Sequence, residues 1–185
     1  MKNPKLANRY AQALFDMAGN NGNIEEVFTD ITLIKKVLKE NMELIQVIES
    51  PHIPMYIKNN IFITLFTGKI TDITKHFLLL IIKKRRVPEI YSILDQFIQI
   101  YQKEHNIKVA KITFSTELDS ALTQKIVTIL ENELHAKIET IITIDPQIIG
   151  GVVIKVDDLL IDGSLISKIK RLKTEFSQNK YQISY

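Results

Sequence analysis

Apolar residues recur at helical spacing through roughly the first hundred residues and at strand spacing after that, so the chain changes period once. Leu6, Tyr10, Leu14 and Met17 fall on one face of an opening helix, with Ala7, Ala11 and Ala18 beside them. A second helix is predicted from Ile24 to Glu40, between Gly22-Asn23 and Asn41, and a short third one from Met42 to Glu49, stopped before Pro51. Pro54 suits the first turn of a fourth helix running to about Phe66, with Gly68 just past its end. Thr71 or Asp72 can cap a fifth helix that reaches Arg86. Pro88 then opens a sixth, with Ile90, Leu94, Phe97 and Tyr101 on one face. Six short helices joined by short loops predict an antiparallel bundle over residues 1–105.

From Asn106 the period is two. Ile107 to Phe114 reads as a strand with Ala110, Ile112 and Phe114 on one face. Ser115-Thr116-Glu117 starts a helix carrying Leu118, Leu122, Ile126 and Ile129. Lys137 to Ile144 is a second strand, turned at Asp145-Pro146; Gly151 to Val156 is a third and Leu159 to Ile161 a fourth. A final helix is expected to bury Leu165, Ile169, Leu172 and Phe176 while Lys168, Lys170, Arg171 and Lys173 face water. Residues 177–185 have a weak helical pattern and are expected to fray. The predicted fold class is α+β, a helical bundle at 1–105 followed by a small α+β domain at 106–185.

Composition narrows the function without naming it. Cysteine is absent, which removes disulfides and thiol chemistry. Phe77 to Ile82 is only six residues long, far short of the roughly 18 apolar residues of a membrane span. Met1-Lys2-Asn3-Pro4 lacks a signal-peptide core, so a soluble cytosolic protein, or one recruited to a membrane by a partner, is expected. Residues 1–105 carry 14 Lys and Arg against 11 Asp and Glu, and residues 106–185 carry 10 against 10. Neither balance is the strongly basic one of a nucleic-acid domain.

Features that look chemical read better as structure. Gly150-Gly151 enters a strand, whereas a phosphate loop needs glycines followed by Lys-Ser/Thr at the start of a helix. Close backbone approach or a bulge is the expected role of this pair. Asp162-Gly163-Ser164 reads as a turn and helix cap. His52, His76, His105 and His135 show no ligand or triad spacing, so neither metal nor cofactor is expected. Lys83-Lys84-Arg85-Arg86 is the one sharp basic cluster and fits cations offsetting the dipole of a last helical turn. A helical nucleic-acid-binding or adaptor protein using Lys83–Arg86 is the alternative function, and an enzyme with a dispersed site is a third.

Three stretches, in order, carry a resemblance to subunit delta of the F-type ATP synthase, the oligomycin-sensitivity-conferring subunit family. They are Ala7-Asn8-Arg9-Tyr10-Ala11-Gln12-Ala13-Leu14-Phe15, then Phe77 to Arg86 with the following Ile90, Phe97 and Tyr101, and finally Gly150-Gly151 with Ile161-Asp162-Gly163-Ser164 and Arg171-Leu172. The third is the most specific. At the turn where the family places Gly-Asp this chain has Asp157-Asp158, and Asp tolerates left-handed backbone better than most residues. The resemblance implies a non-catalytic stator subunit of a bacterial enzyme, peripheral on the cytoplasmic face of the cell inner membrane and monomeric within its complex. Its implied partners are the N-terminal helix of subunit alpha and the C-terminal end of subunit b, with no nucleic acid and no cofactor.

The expected grip on alpha is an apolar groove between the first and fifth helices, lined by Tyr10, Leu14 and Met17 with Phe77, Leu80 and Ile81. Small Ala7, Ala11, Ala13 and Ala18 offer shallow surface for a close-packed helix, in the bundle itself or in a guest. Nanomolar attachment needs about −12 kcal/mol. Apolar burial at about 25 cal/mol per Å² supplies energy on that scale before association costs. Exposed salt bridges, at about 0–1 kcal/mol each, do not.

Overall fold

In a computed structural model, described for residues 4–50, 52–116 and 120–178, the chain divides into two compact units, Met1–Glu104 and His105–Tyr185. The first holds helices α1 (Pro4–Asn20), α2 (Ile24–Glu40), α3 (Met42–Glu49), α4 (Met55–Phe66), α5 (Asp72–Lys83) and α6 (Ile90–Glu104). α1 packs chiefly on α6, presenting Ala7, Ala11, Leu14 and Ala18, all buried. The alanines thus serve the bundle's own packing, and only Ala13 of the four faces water. Phe15 meets Phe97 with ring centroids 6.1 Å apart, and Phe28 of α2 stacks on Tyr101 at 3.9 Å.

One buried polar device ties α2 to α5. The Asp30 carboxylate accepts from the Thr71 backbone N–H at 2.8 Å and from its hydroxyl at 2.7 Å. The Thr71 oxygen in turn accepts from the Thr74 N–H, capping α5.

α5 stops three residues before the expected Arg86. Arg85 turns into the left-handed region (φ 56), where its N–H reaches Ile82 O and the Arg86 N–H reaches Ile81 O, both at 2.9 Å. This is a Schellman closure with arginine at the position glycine ordinarily takes. Only Lys83 of the basic cluster therefore lies within the helix. Pro88 sits in a 3-10 turn, Val87–Glu89, and α6 starts after it at Ile90.

The second unit runs β1 (Ile107–Phe114), α7 (Ser120–Leu134), β2 (Lys137–Ile144), β3 (Val152–Val156), β4 (Leu159–Asp162) and α8 (Leu165–Gln178). The sheet order is β2-β1-β3-β4, with β1 and β2 parallel across the α7 crossover and the other pairs antiparallel. Register places Ile112 beside Ile154, on the face that α7 covers with Ile126, Val127, Leu130 and Leu134, while its neighbour on β2, Ile142, stays exposed. Leu122 and Ile129, expected on the buried face of that helix, are exposed, and Leu118 lies outside the described residues. At the β3–β4 hairpin Asp157 takes φ 50, so the left-handed turn is kept without glycine.

The final helix forms, but its apolar stripe is not buried. Leu165, Ile169, Leu172 and Phe176 are all exposed, Phe176 to 77%. Within the described residues the sheet is already covered on one face by α7, and α8 makes its main contact with the 3-10 turn Pro146–Ile148. Of the stretch expected to fray, Ser177 and Gln178 complete α8 and the rest lies outside the described residues.

Candidate partner-binding surfaces

The six groove residues sort into two depths. Leu14, Phe77 and Ile81 are core residues, with Leu14 at 1% exposure. Tyr10 is half-buried, and Met17 and Leu80 are exposed at 39% and 42%. α5 packs on α4 and α2, while α1 packs on α6 and α2. No main contact joins α1 to α5, so the expected groove does not stand out as a shared seam; of its six residues Tyr10, Met17 and Leu80 reach the surface, and Leu14, Phe77 and Ile81 belong to the bundle core.

Sequence periodicity missed a second apolar area on α4. Tyr56, Ile57, Ile63 and Leu65 are exposed there. The signal was present: Met55-Tyr56-Ile57-Lys58-Asn59-Asn60-Ile61-Phe62-Ile63-Thr64-Leu65-Phe66 is apolar on nearly every side, so one bundle cannot cover it all.

In the second unit the glycine motifs touch. Gly151 (φ 84) leaves no room for a side chain, since a Cβ there would meet Gly163 O at 2.3 Å. The Gly163 N–H donates to Val152 O and the Leu165 N–H to Gly150 O, each at 2.9 Å. Gly150-Gly151 and Gly163 are therefore two sides of one backbone contact that fixes where α8 begins.

Asp162 completes the joint. Its carboxylate accepts from the Ser164 N–H at 2.9 Å and the Ser167 hydroxyl at 2.6 Å. These serine hydrogen bonds, Ser164 first, lower its pKa from 3.8 to about 2. Ser164 is buried and its hydroxyl accepts from the Ser167 N–H at 3.3 Å. The triplet is a helix cap. Ile161, the motif residue preceding it, points to solvent with Leu159 and Leu160.

The unit also exposes much large apolar surface: Ile141, Ile142 and Ile144 on the edge strand β2, Ile149 before β3, and the α8 stripe. Ile149 takes φ 64, a strained backbone for a β-branched residue. Among the described residues no group of three or more His, Asp or Glu is placed to hold a metal. No described helix is long and apolar enough to cross a membrane.

A bundle with a few exposed apolar side chains, joined to a small sheet unit with many, defines a subunit made for assembly. The chain belongs to the ATP synthase delta (OSCP) subunit family, whose sequence profile matches residues 6–176. It is a peripheral-stalk component of an F-type ATP synthase. It is 33% identical to ATP synthase subunit delta of Cytophaga hutchinsonii over 178 residues, covering 96% of this chain and 97% of that one. To the chloroplastic subunit delta of Galdieria sulphuraria it is 36% identical, covering 91% and 96%. A chain in the cryo-EM structure of the Toxoplasma gondii mitochondrial ATP synthase hexamer superposes with a TM-score of 0.72 at 26% identity, covering 93% of this chain and 97% of that chain.

Proposed function

We propose that the first unit holds the N-terminal helix of subunit alpha and the second unit holds the C-terminal end of subunit b. The catalytic head is thereby kept from turning with the central stalk. The observation that carries this reading is the α8 stripe: Leu165, Ile169, Leu172 and Phe176 at helical spacing, solvent-facing in the free chain, with Lys168, Lys170, Arg171 and Lys173 also exposed. A second amphipathic helix laid along that stripe would bury all four. On the first unit, Tyr10, Met17 and Leu80 offer the apolar contacts for alpha. The protein works mechanically and performs no chemistry of its own. It acts as a single copy on the cytoplasmic face of the cell inner membrane, recruited by the complex.

Calorimetric titration of the full chain with peptides from the alpha N-terminus and the b C-terminus tests both contacts. Tight one-to-one binding of alpha, lost in a Met17→Asp/Leu80→Asp double variant that still folds, supports the first. Loss of b binding in Leu172→Asp supports the second. A folded chain that binds neither peptide would sink the reading.

A further inference from the structure

We propose that the bundle also holds a site for a singly charged aliphatic carboxylate, in the half-open cavity bounded by the end of α3, the start of α4 and the α5–α6 connection. The cavity measures about 400 Å³, within the usual range for small-molecule sites. Ile53, Ile82 and Val87 supply apolar wall, and Lys58, Arg85 and Glu49 line it as well.

Two features suit an anion there. Lys58 is only 8% exposed, yet among the described residues its amine makes one hydrogen bond, to Ser50 O at 2.8 Å. An ammonium has three donors, and Glu49, which lines the same cavity, makes no ion pair with it among the described residues. Arg85, exposed at the mouth of the cavity, occupies a left-handed position that glycine fills at less cost, and it enters no ion pair among the described residues, so its guanidinium is open to a ligand. Strained backbone at a cavity wall points to a use for the side chain it carries.

The charge count selects the class of anion. Lys58 and Arg85 against Glu49 leave a net charge of +1, which one carboxylate neutralises and a phosphate dianion exceeds. The apolar walls favour a hydrocarbon tail behind it. None of Tyr10, Met17 and Leu80 lines this cavity.

Sodium decanoate titrated into the full chain below its micelle concentration tests this, with decanol and inorganic phosphate as controls. One-to-one decanoate binding is expected, with decanol weaker by about ten-fold or more, the value of one charge-assisted hydrogen bond. Phosphate is expected not to bind. Arg85→Gly separates function from fold, because it should leave thermal stability equal or higher while weakening decanoate about ten-fold. Lys58→Met should weaken it similarly. Failure of decanoate to bind, equal binding of decanol, binding of phosphate alone, or undiminished affinity in a folded Arg85→Gly variant would each overturn the proposal.

Discussion

In the first unit Leu14, Ile34, Ile81, Leu94 and Phe97 disappear from solvent, and helices from both ends of the unit share one core. In the second, the core cluster reduces to Ala110, Ile112, Phe114, Leu130, Ile138, Ile154 and Val156, with Ala136 and Ile148 buried outside it, while large apolar residues on β2, β4 and α8 stay in water. Both stretches are built from the same amino acids, Ile above all, so composition does not explain the contrast. Topology does. Six helices can surround a common centre, whereas a four-stranded sheet with one covering helix leaves its second helix with little to lie on. The first unit closes its core by folding, whereas the second leaves apolar surface open, which is where the proposed partner would lie.

The sharpest way to break this comparison is Gly151→Ala. Its Cβ would collide with the Gly163 carbonyl at a positive φ, and a loss of about 3 kcal/mol or more is expected. Calorimetry should show the second unit unfolding early while the first keeps its own transition. Retention of both transitions would mean that the Gly151–Gly163 contact does not hold the second unit together.

A pair of truncations comes next. Leu14→Ala should cost about 2–5 kcal/mol by opening a cavity in a closed core. Leu172→Ala should change the stability of the free chain by no more than about 0.5 kcal/mol, since its side chain is already in water. Urea denaturation compares the two directly. Equal losses would show that α8 is packed in solution. Asp30→Ala should fall between them, at about 1–3 kcal/mol, by removing the acceptor for both Thr71 donors.

The smallest effect concerns pH. Asp162 is held at about 2, below its ordinary 3.8, so its contribution is complete above pH 4 and is lost as pH falls toward 2. Wild type should therefore shed some stability of the second unit across that window, and Asp162→Asn should lose that portion of the pH dependence. An unchanged acid profile in Asp162→Asn would remove the cap from the account.

How legible this was in the sequence follows the same division. The bounds of α2, α3, β1 and β2 are those that periodicity predicts, because each is flanked by a turn signal such as Asn23, Asn41, Asn106 or Asp145. Asp157 in its left-handed turn and the close approach at Gly151 were also legible, since few residues serve there. The end of α5 was not. Arg85 adopts a backbone that its side chain disfavours, and local preference gives no warning of that. The exposure of Leu122, Ile129 and the α8 stripe was hidden for a different reason. Periodicity identifies an apolar face but not whether the surface that covers it lies in the same chain.

The pairing of α1 with α6 has a mechanical consequence. α6 ends at Glu104, and β1 begins at Ile107, so the helix packed on α1 runs almost directly into the second unit. If the head is gripped at α1 as proposed, tension from it crosses one helix–helix seam and then continues along covalent backbone. Leu80, on α5, adds a second branch that passes through α4 and α2, on which α5 packs.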